Sequence, residues 1–154
     1  MDLSVPGSRL YSDGSSRICT RCRLPAAKRA GWALVHTDAD GFLLSAAYGP
    51  CPADMCPDQS SQEAEDFCFH MLAKVTNAAS LVHVDNAATV ATANGPLADA
   101  CGPKAVRAHR WRALQAARLA VVAAKVKAHT TQADMDSGTI LGRFPRQWQS
   151  GLLR

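Results

Sequence analysis

A single apolar stripe constrains this chain more than any other feature. Ala64, Phe67, Cys68, Met71, Leu72 and Val75 recur at i, i+3, i+4, i+7, i+8 and i+11, the spacing of one face of an α-helix. Ser60 stands before it and Glu63 follows three residues later, a capping-box signature that marks where the helix begins. Such a helix must lay its apolar face on another element. Leu81-Val82-His83-Val84, directly downstream, is a short apolar run that reads as a buried strand ending at Asp85-Asn86. A helix feeding a buried strand is the kernel of an α/β domain.

The remaining elements extend that kernel on both sides. Arg9 to Ser12 reads as a strand running into a turn at Asp13-Gly14-Ser15, and Ser16 to Arg29 as an irregular loop. Gly31 to His36 alternates as a strand does, Thr37 to Gly41 has turn chemistry, and Phe42 to Tyr48 returns as its hairpin partner. Gly49 to Gln59 holds three prolines and reads as a loop. After the fourth strand come a short Ala-rich helix from Ala87 to Thr92 and the breaker Asn94-Gly95-Pro96. A long helix from Val106 to about Ala120 follows, with Trp111, Leu114 and Ala117 on one face, and then a fifth strand from Ala123 to Ala128. Hairpin-joined strands first and helix-separated strands later predict one mixed sheet, part antiparallel and part parallel. At 154 residues the chain suits one domain with a sizeable core.

Charge and cysteines narrow the partners. The net charge is +4, and no Asp or Glu occurs from Cys101 to Ala133. Lys104, Arg107, Arg110, Arg112, Arg118, Lys125 and Lys127 fall in that stretch, which points to a polyanion such as a nucleic-acid backbone, or else to a solvated helix face. No apolar run approaches the roughly 20 residues of a membrane span. The N-terminus lacks the pattern of a signal peptide, so an intracellular location is expected, with nucleus and cytoplasm not separable. Of the cysteines at 19, 22, 51, 56, 68 and 101, Cys68 lies on the helical stripe and is expected in the core. Cys19-x-x-Cys22 and Cys51-x4-Cys56 leave a tetrahedral zinc site as an alternative use of four thiols.

Three carboxylates stand where elements begin or end: Asp13 after the first strand, Glu65 in the first helical turn, Asp85 after the fourth strand. Magnesium binds through a few carboxylates together with water and substrate phosphate. Two such ions about 4 Å apart serve in-line phosphodiester hydrolysis. Carboxylates so distant in sequence converge only if their strands are neighbours. Each also has a plainer role open to it: Asp13 as a turn former, Glu65 as a complement to the helix dipole, Asp85 as a cap. Glu63 competes with Glu65 for the ligand position.

The order of these motifs resembles the type 1 ribonuclease H family. Tyr11-Ser12-Asp13-Gly14-Ser15 is similar to its first-strand motif, and Arg29-Ala30-Gly31-Trp32-Ala33 to its second strand. Gln62-Glu63-Ala64-Glu65 resembles the helix start, where the acidic ligand directly follows Ala, which favours Glu65 over Glu63. Val84-Asp85-Asn86-Ala87 and Lys125-Val126-Lys127-Ala128-His129-Thr130 resemble the fourth-strand motif and the fifth strand with its histidine loop. The resemblance implies a domain over residues 8–138, a five-stranded mixed sheet of order 3-2-1-4-5 flanked by helices, and a two-metal site on Asp13, Glu65 and Asp85. It further implies Mg2+ as cofactor, with Mn2+ as a substitute, and His129 as a catalytic group assisting product departure. The implied activity is endonucleolytic cleavage of the RNA strand of an RNA–DNA hybrid. Lys104, Arg107, Arg110, Arg112 and Asn86 are the expected nucleic-acid contacts, and the chain is expected to act as a monomer away from membranes.

The resemblance ends at the tail. The family continues into a helix bearing Gly-Asn-x-x-Ala-Asp, whose Asp completes the site, whereas residues 139–154 contain no acid and carry Pro145. The final helix is therefore expected to be missing, and a nucleic-acid-binding module with impaired catalysis is the alternative function. The tail's codons admit a reading in which one base lost near Gly142–Arg143 restores Asp-Ser-Arg-Gly-Asn-Gly-Lys-Ala-Asp-Tyr-Phe. Trp148 followed by Gln149 fixes a GGC glycine codon in that shifted frame. A frameshift, checked by sequencing the locus, is thus the expected origin of the tail.

Overall fold

A computed structural model describes residues 1–18, 28–76, 78 and 80–126. Its elements are β1 (Arg9–Arg17), β2 (Arg29–Thr37), β3 (Leu43–Pro50), α1 (Ser61–Val75), β4 (Ser80–Val84), α2 (Ala87–Asn94), α3 (Leu97–Ala100), α4 (Ala108–Ala117) and β5 (Val121–Lys125). The five strands form one sheet in the order β3-β2-β1-β4-β5. β2 pairs antiparallel with both β1 and β3, while β4 pairs parallel with β1 and β5. The connections dictate this. The β2–β3 link is tight enough for a hairpin, closed by Asp38 Oδ1 accepting from the Asp40 and Phe42 amides at 3.0 and 2.8 Å. The helical links carry the chain back across the sheet, so their strands run parallel.

Some boundaries differ from those expected. β1 does not turn at Asp13-Gly14. It continues to Arg17 because β2 stays paired with it as far as Arg29, and a continuous ladder satisfies more backbone groups than a turn would. β5 starts at Val121 and stops at Lys125, matching the length of β4 from Ser80 to Val84. The long helix begins only at Ala108, after the short α3, and stops where Arg118 adopts a left-handed φ of 51°.

The core lies under one face of the sheet. Leu10, Trp32, Leu34, Val82, Val84 and Ala123 point into it from the strands, and Ala64, Phe67, Cys68 and Leu72 meet them from α1. Met71 and Val75 are only partly buried. The apolar stripe understates how much of α1 is covered, because α4 packs on a second side of the helix. Phe69 meets Trp111 there with ring centroids 5.0 Å apart, both fully buried. On the opposite sheet face Leu81 and Val122 are 52% and 59% exposed. Tyr11 is half-exposed there and stacks on His83 at 5.0 Å. Among the described residues no helix is long and apolar enough to cross a membrane.

One contact fixes how α1 sits. A Cβ placed on Gly14 would lie 2.3 Å from the Glu65 amide nitrogen and 2.6 Å from the Ala64 carbonyl carbon. Glycine at this position therefore lets the first turn of α1 rest directly on the backbone of β1. Gly14→Ala forces two backbone segments apart and is expected to cost about 3 kcal/mol, at the upper end of overpacking penalties. Gly31→Ala, whose Cβ would meet only the Gly49 carbonyl at 3.4 Å, is expected to cost under about 1 kcal/mol. Urea denaturation of the two variants checks the contrast.

Candidate metal centre

The parallel register of β1 and β4 brings two of the carboxylates together. Leu10 pairs with Val82, Tyr11 with His83 and Ser12 with Val84, so Asp13 and Asp85 each lie one step further along neighbouring strands. The third arrives from α1, whose first turn is seated on Gly14, the residue after Asp13. A Cys68 thiol donating to the carbonyls of Asp13 at 3.3 Å and Ala33 at 3.5 Å ties the helix to the same stretch of strand. Asp13, Glu65 and Asp85 each offer a carboxylate oxygen, and all three lie within 4.8 Å of one another. Asp13 is exposed, Asp85 half-buried and Glu65 buried, so the cluster has a closed floor and an open mouth.

Glu65 carries the electrostatic cost of that arrangement. Burial above all, with the nearby carboxylates of Asp85 and Asp13 adding to it, pushes its carboxyl up to about 8, although the Gly14 amide donating to it acts in the other direction. Its Oε2 is buried and has no hydrogen-bond partner. An orphaned carboxylate oxygen among two further carboxylates is the donor set a hard divalent cation takes, so the residues present fit Mg2+ or Mn2+.

Glu63, the competing acid, faces elsewhere. It closes the capping box with Ser60 and pairs with Arg110. Arg110 corrects an expectation in turn: it is 2% exposed, held between Glu63 and Asp66 of α1 and the Met55 carbonyl, and cannot meet a phosphate on the surface. Periodicity missed this because Arg110 lies on the same helix face as Trp111 and Leu114, where it neutralises two acids that α1 buries. Lys104, Arg107 and Arg112 are exposed. Asn86 is half-buried and caps α2, its Oδ1 accepting from the Ala88 and Thr89 amides. His129 lies outside the described residues, as do Cys19 and Cys22. Cys51 and Cys56 are buried free thiols, hydrogen-bonded to each other.

Two site features were not singled out from the sequence. Gly14 reads as a turn former beside Asp13, yet it serves a close approach. Lys125, counted only as one charge of a basic stretch, sends its ammonium to the Asp85 carbonyl at 2.5 Å and the Val126 carbonyl at 3.1 Å, which puts a cation at the rim.

No family model matches the sequence, and no curated protein matches it. Solved structures do. The PFV RNase H domain matches with a TM-score of 0.59 at 16% identity, over 88% of this chain and 89% of that one. LC9-RNase H1, described as a type 1 RNase H with the type 2 active-site motif, matches with a TM-score of 0.59 at 16% identity, over 90% and 71%. The foamy viral protease-reverse transcriptase in complex with RNA/DNA hybrid matches at 0.58 and 13% identity. This match covers 94% of this chain but only 20% of that much longer one. The fold is thus that of a ribonuclease H-like domain, with the expected strand order.

The raised Glu65 carboxyl generates a prediction with a definite sign. Its folded value of about 8 lies above the ordinary carboxylate value, so the folded state resists its ionisation. The metal-free protein therefore loses stability from this group as pH rises from about 4.5 toward 8. Glu65→Gln removes the penalty and is expected to be more stable than the parent at pH 7.5 in a chelator by roughly 1–3 kcal/mol, with no gain near pH 4. Urea titrations at the two pH values check it.

Proposed function

We propose that this chain hydrolyses the RNA strand of an RNA–DNA hybrid, using divalent metal held by Asp13, Glu65 and Asp85. The observation that carries the reading is the convergence of those three carboxylates from β1, α1 and the end of β4, with a buried Glu65 oxygen lacking any partner. The ribonuclease H-like fold supports it, as do two similar structures described as RNase H and a third, of a foamy viral protease-reverse transcriptase, in complex with RNA/DNA hybrid.

Each group of the chain has a part in this reading. When bound, Mg2+ or Mn2+ supplies an activated water and charge stabilisation for the leaving oxygen. Asp13 and Asp85, on adjacent strands, fix the cluster's spacing, and Glu65 anchors its buried side. The Lys125 ammonium beside Asp85 attracts a backbone phosphate toward the open mouth. Lys104, Arg107 and Arg112 give the exposed positive surface on which a duplex rests, and His129 assists product departure. RNA is told from DNA by 2′-hydroxyls in the minor groove of the hybrid.

A second reading has one observation behind it. The acidic cluster has three members among the described residues, so the chain on this reading grips a hybrid without cutting it. A hybrid with labelled RNA separates the two. In Mg2+ or Mn2+ the chain is expected to cut the RNA and leave the DNA intact, and Asp13→Asn to lower the rate at least 1,000-fold, about 4 kcal/mol in the barrier. Binding without cleavage favours the second reading. Cleavage that survives Asp13→Asn or a chelator overturns the metal assignment. Reversing charge at Lys104 and Arg112 together is expected to weaken binding at least tenfold in low salt, equally for unrelated sequences.

A further inference from the structure

The first turn of α1 is held on two sides, and only one of them is the sheet. Gly14 supports it from β1. From the other direction α4 sends in Arg110, whose Nη2 pairs with Glu63 Oε1 and whose Nη1 lies 3.9 Å from Asp66 Oδ2. Arg110 Nε donates to the Met55 carbonyl at 2.8 Å, which fixes the guanidinium plane. Asp66 is itself fully engaged: Oδ2 takes Arg107 Nη1 at 3.1 Å, and Oδ1 takes Thr89 Oγ1 and Gln62 Nε2, each at 3.1 Å. These groups join α1, α2, α4 and the loop before α1 around one helical turn.

The geometry of a helix makes this arrangement specific. Successive residues are turned by roughly 100°, so Glu65 lies about 200° around the axis from Glu63 and about 100° from Asp66. Glu63 and Asp66, three apart, share the side that meets Arg110. Glu65 falls on the side that meets Gly14 and the other carboxylates. A turn pressed onto β1 by the sheet contact alone is free to rock. Pinned on the far side as well, it cannot rotate Glu65 away from Asp13 and Asp85.

We propose that Arg110 is a positioning residue for the metal centre, clamping Glu63 and Asp66 so that Glu65 is held in register with Asp13 and Asp85. This deepens the proposed function and rests on reading the three carboxylates as a metal site. Arg110 touches neither metal nor substrate; it acts through the backbone of one helical turn. Outer groups of this kind commonly change metal affinity by about 10–100-fold.

The test uses the full chain and two readouts. Hydrogen exchange at the Ala64 and Glu65 amides reads the clamp without any metal, and Mn2+ titration by calorimetry reads its consequence. Arg110→Met is expected to speed exchange in that turn at least tenfold and weaken Mn2+ binding at least tenfold. Arg110→Lys, which keeps the charge but loses the planar fork, is expected to recover part of both. Leu34→Ala, a core change in β2 away from α4, matches the general loss of stability and is expected to leave both readouts near the parent values. Arg107→Gln, at an exposed position, serves as the milder variant should Arg110→Met fail to fold, with a smaller shift in the same direction. Unchanged exchange in that turn together with Mn2+ affinity within twofold of the parent overturns the clamp. A parent chain that binds no Mn2+ overturns the metal reading instead, and the exchange readout still decides the clamp.

Discussion

The close approach between Gly14 and the first turn of α1 is the contact on which the rest of this structure depends. With any side chain at Gly14, the Glu65 amide could not sit where it does, since a Cβ would fall 2.3 Å from it. Because the helix rests on bare backbone, its first turn settles against the middle of β1 beside the end of β4, the two places where the sheet supplies an aspartate. The same contact lets the Gly14 amide donate to the Glu65 carboxylate, partly offsetting the cost of burying it. Fold and site are thus one arrangement.

That arrangement is expensive without a ligand. Three carboxylates within 4.8 Å repel one another, and one of them is buried with an oxygen that nothing satisfies. Buried charges in folded proteins are paired or bind metal. α1 follows this rule elsewhere in the same turn: Glu63 and Asp66 are both matched by arginines from α4 or its N-cap. Among the described residues of that turn, Glu65, which faces Gly14, is the acid that keeps a buried oxygen without a partner. A turn that neutralises two of its acids and leaves the third strained has concentrated its instability where a cation can relieve it.

Much of this was legible in the sequence, for physical reasons. The stripe from Ala64 to Val75 and the Ser60–Glu63 box are local signals, and α1 begins where they place it. The order of strands and helices fixed the sheet because hairpins make antiparallel neighbours and helical links make parallel ones. The three acids converge as their motif positions implied. What escaped is set by tertiary contacts. Asp13-Gly14 has the composition of a turn but lies within a strand, since β2 is long enough to pair with it. Arg110 was counted with the exposed basic residues, yet its helix face is the buried one, and only the acids of α1 explain a buried arginine there.

The central claim is that Asp13, Glu65 and Asp85 together bind a divalent cation. A crystal of the chain soaked in Mn2+, with anomalous diffraction recorded near the manganese edge, tests it most directly. The account predicts anomalous density bounded by oxygens of all three carboxylates at about 2.1–2.2 Å, with the formerly unpartnered Glu65 oxygen among the ligands. Density elsewhere, or none beside Glu65 at saturating Mn2+, would contradict it.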